Sequence, residues 1–369
     1  MSYIAPNGDP VAPIWVLLER PFSTDIPRGY LCSGGMGYAL QGMFTEAGLK
    51  PSDVYYICRR PDTDNPMSFS SIEQKIEARK PPLMLAVGEI AQSFLAECAP
   101  YNREDWKKQL NKQVGSLLRS NRFSFPHYMM PILPIEILMM DFAERNIACH
   151  LDIGKLREEL LFLRANGTHQ PLPKRLLLSH EMSTDEILSN ISDYRSSGNP
   201  ISVDIETVYP KKGSEYYGQH PGLPLVLGLA KSPAHAMSFS LWRGSALEDV
   251  ALWKALYALF SENWIIGQNF FLFDSRFLQS LGFKFNRLKF HDTLLRHHIL
   301  WPELSHKLQF MCRQYTREPY YKDEAARWSI KNLSQLRHYN AMDAAVTYEV
   351  YEGQEREFAQ KPHLKGDAA

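Results

Sequence analysis

Acidic side chains in three widely separated segments most restrict how this chain can fold. The first segment, PISVDIET, places Asp204 and Glu206 two positions apart at the end of an apolar run. The second, IIGQNFFLFD, carries Asn269, Phe273 and Asp274, and the third, HYNAMDA, carries Tyr339 and Asp343. Glu206 lies 68 positions before Asp274, and Asp274 lies 69 before Asp343, which allows one or two α/β units between them. On a strand, residues i and i+2 point to the same side, so Asp204 and Glu206 can share a ligand. The β-rich run that carries them follows a turn signal, SSGNP at 196 to 200. Tyr339 and Asp343 are four apart, the spacing of one helix face. Neither pair is distinctive alone; order and spacing together suggest convergence. Converging carboxylates form the hard oxygen set that divalent ions bind. Two such ions can stabilise an attacking and a leaving oxygen together, and a neighbouring phenol suits the orientation of an attacking water.

The bulk of the chain permits such a site. With 369 residues it can bury the cores of two domains. It is 44% apolar and 22% charged, as expected of a globular protein. Its 41 basic and 41 acidic residues cancel, which excludes an overall basic coat and leaves room for a local nucleic-acid groove. No apolar run is long enough to span a membrane, and MSYIAPNGDP has neither the basic nor the apolar part of a secretion signal. The five cysteines are scattered, with no C-x-x-C pair, so reduced thiols in a cytoplasmic protein are expected.

The N-terminal half reads as an alternation of strand and helix. PIWVLLE (13 to 19) is a strand, followed by the turn CSGGMG (32 to 37) and a helix through Ala47 that Gly48 ends. VYYIC (54 to 58), PPLMLAVG (81 to 88) and MPILP (130 to 134) are further strands. A helix, EIAQSFLAECA, follows the third strand, and another runs from Pro134 toward Phe162. This order predicts a parallel sheet. Between 103 and 122, Arg103, Lys107, Lys108, Lys112, Arg119 and Arg122 outweigh Glu104 and Asp105 by four charges. That stretch is a candidate nucleic-acid contact or a solvated helix face.

The three acidic segments resemble those of the DEDD superfamily of 3′→5′ exonucleases, and specifically its DEDDy branch, the proofreading domain of family A DNA polymerases. Its first motif, Asp-X-Glu-Thr, matches Asp204, Glu206 and Thr207; its second matches Asn269, Phe273 and Asp274; its third matches Tyr339 and Asp343. KFHDTLLRHHIL, with His291, Asp292 and Thr293, is similar to the stretch after the second motif, and PYYKDE (319 to 324) to that before the third in phage-type enzymes. The resemblance spans about residues 170 to 360. It implies a ribonuclease H-like domain with two Mg²⁺ or Mn²⁺ ions. Asp204, Glu206 and Asp343 would hold the catalytic ion, Asp204 and Asp274 the second, and Tyr339 the water. Thr207, Asn269 and Phe273 would lie along the substrate or support the site.

The N-terminal half is similar to the uracil-DNA glycosylase superfamily, nearest its family 4. GGMGYALQGMFTEAGL resembles that family's Gly-rich turn and helix, and PPLMLAVGEIAQSFL its central strand and helix. The polar groups depart from the pattern. LERPF keeps Glu19 and Pro21 and loses both glycines of the family's first turn, and Leu133 stands where the catalytic His is expected. A shifted register would put His127 there instead. The uracil-reading Asn and the iron–sulfur cysteine set are missing.

The expected architecture is therefore α/β in two domains: a glycosylase-like α/β/α sandwich over 1 to 165, catalytically degenerate, and an exonuclease domain over 166 to 369. The boundary is expected in RANGTHQPLPKR (164 to 175). The expected activity is metal-dependent 3′→5′ removal of nucleotides from single-stranded or frayed DNA ends. The chain leaves no room for polymerase palm, fingers and thumb, so a separate DNA polymerase is the expected partner, in a phage-like replisome and a bacterial or phage-infected cytoplasm. Alternatives are a repair protein that also excises uracil, a non-catalytic DNA- or polymerase-binding subunit, and an RNA-trimming enzyme.

Overall fold

A computed structural model describes residues 3–61, 69–88, 90–91, 112–120, 123–140, 142–208, 222–286, 289–319, 321 and 332–367. The chain divides into two compact units, Met1–Leu172 and Pro173–Ala369. Both pack helices against a twisted α/β sheet, as the sequence reading of fold class requires.

The first unit contains β1 (Asn7–Gly8), β2 (Ile14–Leu18), α1 (Gly35–Glu46), β3 (Val54–Cys58), α2 (Phe69–Arg79), β4 (Leu83–Val87), β5 (Leu118–Ser120), β6 (His127–Ile132), α3 (Ile135–Met140) and α4 (Ile147–Asn166). The sheet order is β1-β3-β2-β4-β6-β5. Its four central strands are parallel, and the short edges β1 and β5 are antiparallel. Every residue of β2, β3, β4 and β6 is buried, the continuous apolar reading of a strand covered on both faces. One face, with Ile14, Val16 and Leu18, packs on Leu40 and Phe44 of α1 and Ile153 and Leu156 of α4. The other, with Trp15 and Leu17, packs on Ile72 and Ile76 of α2.

The glycine-rich turn before α1 is held by a residue that the sequence reading passed over. Asp25 is fully buried and accepts the amides of Phe22, Cys32, Ser33 and Gly34, three of them at 2.9 Å. Gly37 is required beneath it, since a Cβ there would lie 2.2 Å from the Cα of Cys32.

Three expectations are corrected in this unit. The strand expected at 130 to 134 begins earlier, at His127, and stops at Ile132, two residues before Pro134. The single helix expected from Pro134 is broken into α3 and α4 by a π-helical turn over Phe142–Asn146. His127 cannot replace Leu133 by a shift of register. It begins β6, which runs parallel to β4 and β2, whereas Glu19 follows the far end of β2. The helix EIAQSFLAECA falls outside the described residues except for Ile90 and Ala91, and the basic stretch except for Lys112 and Arg119.

The second unit contains β7 (Leu176–Leu178), α5 (Thr184–Ser196), β8 (Ile201–Val208), β9 (Leu223–Ser232), β10 (His235–Ser240), α6 (Ala246–Glu262), β11 (Ile265–Gly267), α7 (Asp274–Ser280), β12 (Phe290–Asp292), α8 (Thr293–Leu300), α9 (Leu308–Tyr315) and α10 (Leu333–Gln360). The sheet order is β12-β11-β8-β9-β10-β7, with β9 antiparallel to both neighbours. Ile201, Val203 and Ile205 of β8 join a core with Ile187 and Ile191 of α5 and Leu252 and Leu256 of α6. The alternate residues of β8 face the other way, toward α10. There Ala341, Ala344 and Ala345 pack on Ala230, Ala236 and Ile266, small residues that let the helix lie close to the sheet. Among the described residues no helix is long and apolar enough to cross a membrane.

Candidate metal centre

The central strand and the long helix bring the first and third acidic segments together. Asp204 and Glu206 lie within β8, not past its end, and Tyr339 and Asp343 lie on α10 where it crosses that strand. One carboxylate oxygen from each of Asp204, Glu206 and Asp343 lies within 4.8 Å of the other two. Asp204 and Glu206 are half-buried and Asp343 is buried. Three carboxylates at this spacing repel one another in a partly dry setting, and a shared cation offsets that repulsion. An all-oxygen, all-anionic donor set fits Mg²⁺ or Mn²⁺ and not a soft metal.

Neutral donors hold these carboxylates in place. The amide of Asn340 donates to Asp204 Oδ2 at 2.7 Å and to the Asp204 carbonyl at 3.2 Å. The Tyr321 phenol donates to Asp343 Oδ1 at 2.6 Å. Tyr339 also hydrogen-bonds Asp343 through its phenol. Burial first, and then the charge of Asp343, pushes both phenols well above the ordinary tyrosine range. Each keeps its proton at any working pH. Of the stretch PYYKDE only Pro319 and Tyr321 lie among the described residues. Sequence reasoning missed Asn340 altogether; the signal is one amide set directly after Tyr339 in the third segment.

Asp274 stands apart from the three-carboxylate group. It opens α7, is 4% exposed, and accepts the Ile205 amide at 3.1 Å through Oδ1. Burial, with smaller contributions from the nearby charges of Asp292 and Glu206, pushes its carboxyl up to about 8. Its backbone contact ties α7 to β8 between the two acidic residues of that strand.

The loop that delivers Asp274 is fastened by Asp292. That carboxylate accepts the amides of Asn269 at 3.1 Å and Phe271 at 3.4 Å, and caps α8 through Leu294 at 2.9 Å. Asn269 takes φ = +55°, a left-handed conformation that asparagine tolerates better than most residues. Its position is explained by this backbone geometry. Phe273 precedes α7 and packs on Phe277 with ring centroids 5.0 Å apart. Thr207, matched as a substrate neighbour, is only 8% exposed, one residue beyond Glu206 where the pairing with β9 shifts register. Phe271 and Leu272, three and two residues before Asp274 in the chain, are apolar side chains exposed by 41% and 62%.

Residues 239–357 match a family model described as 3′-5′ exonuclease. That range contains Asp274, Tyr339 and Asp343 and stops short of Asp204 and Glu206, which the fold supplies. The match supports nuclease activity for the second unit and a nucleic-acid substrate. No curated protein matches the chain. Among solved structures, the catalytic core of RRP6 from Trypanosoma brucei is similar at 13% identity and TM-score 0.38, over 54% of this chain and 51% of that one. The POL domain of Pol1 from M. smegmatis is similar at 13% identity and TM-score 0.37, over 51% and 29%. NrnC of Brucella melitensis is similar at 15% identity and TM-score 0.34, over 53% and 85%. The chain thus spans about half the length of the first of these structures and under a third of the second.

Proposed function

We propose that this chain is a divalent-metal-dependent 3′→5′ exonuclease that shortens single-stranded or frayed DNA ends, with its chemistry in the second unit. The observation that carries this reading is the convergence of Asp204, Glu206 and Asp343 from two elements to within 4.8 Å. Asp204, Glu206 and Asp343 would hold a catalytic Mg²⁺ or Mn²⁺, and Asp274 with Asp204 would assist a second ion. Bound there, such ions lower the pKa of a coordinated water and neutralise charge on the scissile phosphate. The protein's own groups do the rest. Tyr339 remains a protonated phenol beside Asp343 and orients water by hydrogen bonding. Asp292 and Asn269 fix the loop that places Asp274. Phe271 and Leu272 offer an apolar surface on which an unpaired terminal base can rest, the sequence-tolerant grip used for single strands.

In this proposal the first unit, Met1–Leu172, binds DNA or a partner and excises no base. Glu19, the acidic residue kept from the glycosylase pattern, is engaged by Arg60 at 3.1 Å and Arg59 at 3.6 Å. His127 lies at the opposite end of the strands, and its ring faces Phe123 and Phe125. The setting that suits such a chain is proofreading for a DNA polymerase on a separate polypeptide, in a phage-like replisome.

The test is digestion of a 5′-labelled single-stranded DNA in Mg²⁺ or Mn²⁺, against the pair Asp204→Ala, Glu206→Ala. The expected result is a metal-dependent ladder that shortens from the 3′ end and is absent in the variant. An intact strand under every metal condition, with polymerase added or not, overturns the proposal. A ladder on RNA alone replaces DNA with RNA as the substrate.

A further inference from the structure

We infer that Asn340 is a positioning residue that sets the distance between the strand and helix ligands of the metal centre, an inference that rests on the metal-dependent reading above. Asn340 is fully buried on α10. It lies one residue after Tyr339 and one helical step of three before Asp343. Its Nδ2 donates both to Asp204 Oδ2 and to the main-chain oxygen of Asp204, at 2.7 and 3.2 Å. The same amide therefore grips the ligand side chain and the backbone that carries it.

The amide has one orientation that satisfies its surroundings. Its Oδ1 accepts the hydroxyl of Ser238 on β10 at 2.7 Å. A flipped amide would turn Oδ1 onto the Asp204 carboxylate and carbonyl, leaving two acceptors face to face. The two acceptors of Asp204 thus select which end of Asn340 meets them, and the Ser238 hydroxyl satisfies the other end.

Gly228 makes this arrangement possible. It pairs with Asp204 across β8 and β9. A Cβ at 228 would lie 2.7 Å from Asn340 Oδ1 and 2.8 Å from the Asn340 carbonyl. Any larger residue would push α10, and with it Asp343, off the sheet. Asp204, Gly228, Ser238 and Asn340 come from three strands and one helix and form a single gauge. The carboxylates at 204 and 343 keep their spacing because Asn340, on the helix between Tyr339 and Asp343, is clamped to the strand. Such partners behind a ligand typically contribute about 10- to 100-fold in metal affinity.

The experiment is titration of metal-free protein with Mn²⁺, following the free-ion signal by electron paramagnetic resonance. Wild type, Asn340→Ala, Ser238→Ala and Asp204→Ala are compared, each with an oligonucleotide digestion at low and saturating Mn²⁺. The inference expects Asn340→Ala to weaken Mn²⁺ binding by about 10- to 100-fold. It expects saturating Mn²⁺ to restore the turnover of that variant with KM for DNA unchanged. Ser238→Ala should show the same pattern more weakly, and Asp204→Ala should not be restored. Equal Mn²⁺ affinity in wild type and folded Asn340→Ala overturns the inference while leaving the metal reading intact. Wild type that binds Mn²⁺ no better than Asp204→Ala overturns the metal reading, and the inference with it. If Asn340→Ala does not fold, Ser238→Ala decides: weakened affinity upholds the gauge and unchanged affinity removes it.

Discussion

Two sets of carboxylates, one in each unit, lie beside a sheet and are satisfied in opposite ways. In the first unit Asp25 accepts four backbone amides and Glu19 faces two guanidinium groups. In the second, Asp204 is held by an amide side chain and Asp343 by phenols, with Glu206 crowded beside them. Backbone amides and arginines stabilise the negative charge and make the carboxylate part of the fold. Neutral side-chain donors fix orientation without cancelling charge. In the first unit such contacts make Asp25 and Glu19 part of the fold, whereas the cluster of the second unit suits a cation in the reading proposed above.

The largest effect expected from this contrast is on stability. Asp25→Ala leaves four buried amides without their acceptor, each costing about 1–3 kcal/mol. Urea unfolding of the variant should show a collapse of the first unit; a loss under about 1 kcal/mol would break the comparison.

Asp343→Asn should do the reverse. Removing one of three crowded charges leaves the metal-free melting temperature unchanged or higher. Nuclease turnover should drop by about 10²–10³-fold or more, the scale of deleting one transition-state electrostatic group. A large fall in metal-free stability would show that Asp343, like Asp25, belongs to the fold.

A smaller effect separates buried neutral groups from charged ones. His297 is fully buried, and burial lowers it from the ordinary value of 6.5 to about 4, with the His306 charge opposing protonation and Gln314 favouring it. In the unfolded chain it takes up a proton near 6.5, which the folded chain resists until about 4. Its contribution is therefore complete above pH 6.5 and is lost as the pH falls toward 4. The ring chain His298–His306–His297–Gln314 is satisfied when each imidazole is neutral and donates toward Gln314. The urea midpoint of the second unit should fall through that window, and His297→Gln should flatten the slope.

The smallest effect belongs to the exposed side of the Glu19 pair. Arg60 is 47% exposed, and Arg60→Ala should change stability by under about 1 kcal/mol. Uracil release should stay absent in this variant; its appearance would show that the ion pair had masked a glycosylase.

Elements with a strong local pattern were legible in the chain itself. The apolar runs at 13 to 19, 54 to 58 and 81 to 88 read as strands and contain the buried strands Ile14–Leu18, Val54–Cys58 and Leu83–Val87. The α4 end was harder, because Gly167 closes a helix that a π-helical turn had separated from α3, and no residue spacing announces such a turn. The division of the chain after Leu172 lies inside the Gly- and Pro-containing stretch at 164 to 175.

By itself the sequence determined that Asp204 and Glu206 share one strand face and that Tyr339 and Asp343 share one helix face, because those are consequences of local periodicity. Only the tertiary structure decided that the two faces meet. Strand β8 is central in its sheet, Gly228 leaves room above β9, and small residues let α10 settle there. Tertiary structure also turned Thr207 into the interior, set Asp274 against the Ile205 amide, and gave Asn340 and Tyr321 their places on the carboxylates of Asp204 and Asp343. These contacts join residues 22 to 136 positions apart, and no local pattern encodes a hydrogen bond across such separations.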